Sequence, residues 1–217
     1  MLDRGDDQAS GLRRSMPRRG GAVLPVAGAG EHPEFVGRLA QALCDGGMKV
    51  MVLSDFESVL EHLATGRTRI GLSAMHSRQA GGELQRLAAI SERAELTLVA
   101  VDDGRLARGL ALPVNEAVVL AGADTEALAT AYTRIKALVG RGAIRDVCTL
   151  FERGTAGAPA RRGHERLAQT ASRFLGVELA FGGAAPDTAA PSAYRRLAED
   201  LAHWARGHAR EATWRPH

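Results

Sequence analysis

The residues best placed to do chemistry lie in AVLPVAGAGEHPEFVGRLAQAL (22–43), where Gly28 and Gly30 separate an apolar run from an amphipathic stretch. A strand, a glycine turn and a helix in that order point helix N-terminal N–H groups outward, and phosphate is their usual guest. A phosphate loop also needs a lysine against the β- and γ-phosphates and a Ser or Thr oxygen on Mg²⁺. Neither is here. No Ser or Thr occurs between Ser15 and Ser54, and the first lysine is Lys49. Glu31 and Glu34 would repel a triphosphate, and Pro33 removes an N–H donor from the helix start. Asp55, Glu57, Asp102 and Asp103 follow later apolar runs, at the strand ends where open α/β sheets bind ligands. Without a phosphate loop, a solvent-facing loop role is the simpler expectation for them, and a plain tight turn is the simpler one for Gly28 and Gly30. The seven histidines show no metal-ligand spacing, and no Ser-His-Asp or Cys-His arrangement stands out.

The elements that must position these residues alternate along the chain. Apolar runs predict strands at 22–27, 49–57, 69–75, 95–104, 115–122, 144–151 and 177–187. Stripes at three- and four-residue spacing predict helices between them, at about 35–43, 56–66, 81–94, 124–140, 164–176 and 192–207. The clearest is 124–140, with Leu128, Ala131, Tyr132, Ile135, Leu138 and Val139 on one face, Asp124 or Thr125 as cap and Gly140 at its end. In the next helix Leu167, Ala168, Ala171, Phe174 and Leu175 are expected inward, and in the last one Tyr194, Leu197, Leu201 and Trp204. This order predicts one α/β domain in three layers, a mainly parallel doubly wound sheet with helices on both faces. The domain spans 22–207, after a polar arm at 1–21 that reads as flexible and before a short tail at 208–217.

Composition narrows the class. The 217 residues, 23.0 kDa and 45% hydrophobic content suit a single domain with a substantial core. The formal charge of +3 is small, 26 of the 28 basic residues are arginines, and no basic run of five or six residues points to nucleic acid. Cys44 and Cys148 fall in apolar contexts and read as reduced core thiols. The N-terminus lacks the apolar core of a secretory signal, and no segment approaches the ~20 apolar residues of a membrane span. A cytoplasmic location is expected.

Three stretches resemble the MinD/ParA-type ATPases, and among them the FlhG (FleN) branch of flagellar-number regulators. Asp7-Gln8-Ala9 with Leu12-Arg13 is similar to that branch's N-terminal activator segment. ALATAYTRIKALV (127–139) is similar to its AL-x-x-AY-x-x-IK-x-L helix, and RFLGVELAFGGAAP (173–186) to its RFLGV-x-L-x-Y-x-G-x-IP segment. They occur in the family's order and span most of the chain from 7 to about 206.

The resemblance implies a MinD/P-loop-NTPase-like fold with the phosphate loop at Ala27 to Phe35, where AGAGEHPEF keeps only glycines. Asp55 and Glu57 loosely match the acidic pair after the second strand, and Asp102 matches the switch aspartate. Glu152 stands where an Asn would contact adenine, with Arg153 retained. Gly28, Gly30, Asp55, Glu57, Asp102 and Arg153 are thus expected as vestiges of a nucleotide site, with no catalytic residue, no metal and no cofactor. The implied function is that of an FlhG-like pseudo-ATPase whose Asp7, Gln8, Ala9, Leu12 and Arg13 contact an FlhF-type GTPase and stimulate it. A flagellar transcription regulator or a C-ring component is an alternative partner, and a peripheral place at the cell pole an alternative location. Two other functions remain open: an active MinD-like ATPase that binds ATP and Mg²⁺ and switches on the membrane, and a binding module for a transcription regulator or DNA. The final helix could serve a membrane surface, but core packing is the expectation.

Overall fold

Short apolar runs closed by glycine or acidic turns become strands here, and the stretches of 3.6-residue periodicity become helices. The computed structural model describes residues 22–54, 56, 69–71, 94–108, 114–140, 144–152, 157–186 and 191–211. Along the chain come β1 (Ala22–Ala27), α1 (Pro33–Asp45), β2 (Val50–Ser54), β3 (Arg69–Gly71) and β4 (Leu96–Ala100). Then follow α2 (Asp103–Arg108), β5 (Glu116–Ala121), α3 (Thr125–Val139), β6 (Asp146–Phe151), α4 (Ala158–Leu175) and β7 (Leu179–Ala184). A 3-10 turn (Pro191–Tyr194) leads into α5 (Arg195–Glu211).

Among the described residues the sheet has seven strands in the order β3-β2-β4-β1-β5-β6-β7, and every ladder is parallel. The chain runs from central β1 out to one edge, returns through β4, and crosses β1 to build the other half. That reversal opens a crevice at the C-terminal end of β1, between β4 and β5. Pro25 lies in this central strand and has no N–H for a ladder. Pairing with β5 is confined to Val26 and Ala27.

Successive strand residues face opposite layers. Leu24, Val26, Leu98 and Leu150 meet Phe35, Leu39 and Leu43 of α1 and Leu197 and Leu201 of α5. Ala27, Val99, Val119 and Phe151 meet Leu128, Ile135 and Leu138 of α3 and Leu167 of α4. Each such Leu, Val or Phe contributes about 1.5–3 kcal/mol by leaving water. Tyr194 packs edge-on against Phe35, ring centroids 5.9 Å apart. The apolar face of α5 is therefore committed to the core, as expected.

The structure departs from the sequence reading in several places. Phe174 is 65% exposed rather than inward, with the Arg173 guanidinium 5.2 Å from its ring centroid. It lies in the last turn of α4, beyond Ala171, the last buried residue of that helix, which also leaves Ala168 and Leu175 only partly buried. The acidic turn after β4, read as loop, winds into α2 because Asp102 caps it. Gly207 does not stop α5, which continues to Glu211. The helices expected at 56–66 and 81–94 and the arm at 1–21 lie outside the described residues, Phe56 and Ala94 excepted.

Candidate site at the end of the central strand

The turn after β1 is short: Gly28 to His32 joins the strand to α1, closed by a Glu31 N–H to Gly28 C=O bond of 3.2 Å. His32 occupies the N-cap position without a side-chain cap, and Pro33 follows it. Helix α1 thus starts with neither a hydroxyl nor a lysine against its amides.

The polar groups of the crevice satisfy one another. The Gly28 N–H donates to Asp103 Oδ1 at 2.8 Å. Arg134, on α3, donates from Nε to Asp103 Oδ2 at 2.6 Å and from Nη2 to Glu31 Oε1. Its side chain is only 9% exposed. Burial works against the Arg134 charge, but Asp103 and Glu31 outweigh it and hold its pKa above the ordinary value. Beside them His32 Nδ1 lies 3.1 Å from Glu152 Oε2, and Glu34 pairs with Arg38 at 3.1 Å. A carboxylate of the chain itself takes the loop amide that an outside anion would use.

Both glycines have packing reasons in this arrangement. Gly28 has φ +87°, and a Cβ there would meet Arg134 Nη1 at 3.1 Å and Leu120 Cβ at 3.3 Å. At Gly30 a Cβ would come within 2.7 Å of the Phe56 ring. Tight geometry is a present requirement of the turn.

Backbone superposition places the molecule among known folds. It is similar to a chain of the MinC:MinD cell division protein complex of Aquifex aeolicus, with 14% identity and a TM-score of 0.55 over 90% of this chain and 98% of that one. It is similar to the MinD cell division protein of Aquifex aeolicus, with 12% identity and a TM-score of 0.54 over 86% and 97%. HypB from Helicobacter pylori, in a structure with nickel, gives 10% identity and a TM-score of 0.56 over 99% of each chain. The fold is MinD-like, of the P-loop NTPase type. No family model matches the sequence, and no curated protein does so.

Within this MinD-like fold the expected site residues separate. Gly28 lies in the crevice. Gly30 lies in the same turn, against Phe56. Asp102 is exposed and caps α2, accepting the Gly104 N–H at 2.9 Å, while its neighbour Asp103 faces the loop. Asp7, Gln8, Ala9, Leu12, Arg13, Asp55, Glu57 and Arg153 lie outside the described residues. Sequence reasoning missed Arg134. Its signal was available: it stands three residues after Ala131 and four before Leu138, inside an otherwise apolar stripe. Among the described residues no group of three His, Cys, Asp or Glu side chains could hold a metal ion. Among them also, no helix is long and apolar enough to cross a membrane.

Proposed function

We propose that this chain is a MinD-fold regulator that works through protein contacts and needs no nucleotide of its own. The observation that carries the reading is the Asp103 carboxylate on the Gly28 amide, braced by Arg134, in a loop without Lys, Ser or Thr. A triphosphate would have to displace that carboxylate and then face Glu31 with no lysine to neutralise it. Within this class the chain is an FlhG-like controller of flagellar number or placement, acting from the cytoplasm or peripherally at the cell pole. Support comes from the Asp7–Arg13 segment and the two later stretches in family order. Gln8 would act in the partner GTPase's site, with Arg13 pairing to an acidic surface of an FlhF-type protein.

Two measurements test this. Isothermal titration of the full chain with ATP and Mg²⁺ is expected to give no heat, and a dissociation constant in the micromolar range would overturn the nucleotide-free reading. In the second, the chain stimulates GTP hydrolysis by an FlhF-type protein and Gln8→Ala loses most of that stimulation. Absence of both binding and stimulation by the wild-type chain would remove the flagellar assignment.

A further inference from the structure

We propose that the open cleft between α2 and α3 binds a small organic cation, an amine on an apolar body. The cleft holds about 450 Å³, within the range of small-molecule sites. Its walls are mainly apolar: Ala27, Leu106, Ala137 and Leu138 line it, with Thr130 and Thr133 beside them. Its charged end is built from Glu31, Asp103 and Arg134.

Charge decides the class of ligand. Two carboxylates share one guanidinium there, leaving an excess of negative charge. Asp103 is fully engaged, one oxygen on the Gly28 N–H and the other on Arg134. Glu31 gives one oxygen to Arg134, and its second is 3.9 Å from His32 Nε2, beyond hydrogen-bond reach. The Glu31 side chain is 59% exposed and lines the cleft, so its carboxylate supplies the cleft's charged acceptor. An anion gains little, since Arg134 is buried and already holds two carboxylates. A neutral apolar molecule would strip water from Glu31 without replacing it. An organic cation satisfies both ends, its body on the Leu106–Leu138 wall and its charge on Glu31. The cleft shares Glu31, Asp103 and Arg134 with the crevice described above, but no residue of α1 lines it. Cation binding there is measured without a nucleotide or a partner GTPase.

The test uses the full chain and three probes of one shape: 4-phenylbutylamine, 4-phenylbutan-1-ol and 4-phenylbutyrate. Titration calorimetry is expected to show saturable binding of the amine, binding about fivefold weaker for the alcohol, and none for the carboxylate, as one solvent-accessible ion pair predicts. Glu31→Gln brings the amine down to the alcohol's affinity. Ala137→Leu fills the cleft and abolishes binding of both, with an unchanged circular dichroism spectrum and unfolding midpoint. Should Glu31→Gln unfold, the Ala137→Leu and carboxylate arms carry the decision. Equal affinity for all three probes, preference for the carboxylate, no binding of the amine, or full amine binding by a folded Ala137→Leu protein overturns the proposal.

Discussion

At the scale of the residue, Arg134 is the charge on which the crevice depends. It joins α3 to the turn after β1 and to the start of α2 through Glu31 and Asp103. Replacing it by Met keeps the bulk but leaves two carboxylates facing each other with no cation. Arg134→Met is expected to cost about 2–3 kcal/mol, below the about 3–5 kcal/mol of a fully buried pair because both carboxylates reach solvent. Urea unfolding measures it, and an unchanged midpoint would show that the pairs contribute nothing net. A histidine adds a pH-dependent contribution. His164 Nδ1 lies 2.9 Å from the Oγ1 of fully buried Thr149, and burial holds its pKa below the ordinary 6.5 despite the pull of Glu165. The unfolded chain accepts that proton more readily, so this contribution is complete above pH 6.5 and is lost as the pH falls towards the lower folded value. His164→Gln should flatten the decline in urea midpoint between pH 7.5 and 5, and a decline as steep as wild type would exclude His164 as its source. Cys148, whose thiol burial pushes up to about 12, stays a protonated core group throughout.

At the scale of the element, α3 and α5 do different work. Helix α3 is locally well specified: Asp124 caps it, accepting from the Glu126 and Ala127 amides at 3.0 and 2.9 Å. Asp124→Ala should cost about 1 kcal/mol by removing that cap, read as a lower thermal midpoint. Helix α5 gains its stability from what it covers. Leu201 is completely buried between α1 and the sheet, and Leu201→Ala should cost about 2–5 kcal/mol. A loss under 1 kcal/mol would mean that α5 is not docked as described.

At the scale of the whole molecule, one sheet separates two apolar layers, and each layer needs its helices. Removing the chain from residue 191 onward would uncover Leu24, Phe35, Leu39 and Leu43. An exposed apolar surface of that extent promotes aggregation, so the truncated protein is expected in the insoluble fraction. A soluble truncated protein with native circular dichroism would show that α5 is an appendage. The MinD-like fold supplies a scaffold with a crevice at a known place, and function is grafted on it by the residues there. In this chain those residues pair with one another.

Most of the architecture was legible in the chain itself. Strand and helix periods are local properties, so the described strands, the helices other than α2, the parallel sheet, a cap at Asp124 or Thr125 and the packed face of α5 follow from spacing alone. The missing lysine and hydroxyl around Gly28 and Gly30 are likewise plain in the residues. Tertiary structure decided which acidic residue serves which purpose. Asp102 and Asp103 are adjacent and chemically identical, yet one caps α2 and the other meets the Gly28 amide. Only the direction of the chain leaving β4 separates them. Arg134 lies 31 residues from Asp103 and 103 from Glu31, a pairing that no local pattern encodes. The glycines keep the tight-turn role that the sequence favoured, but only their neighbours in space, the Arg134 guanidinium and the Phe56 ring, show what crowds a side chain there.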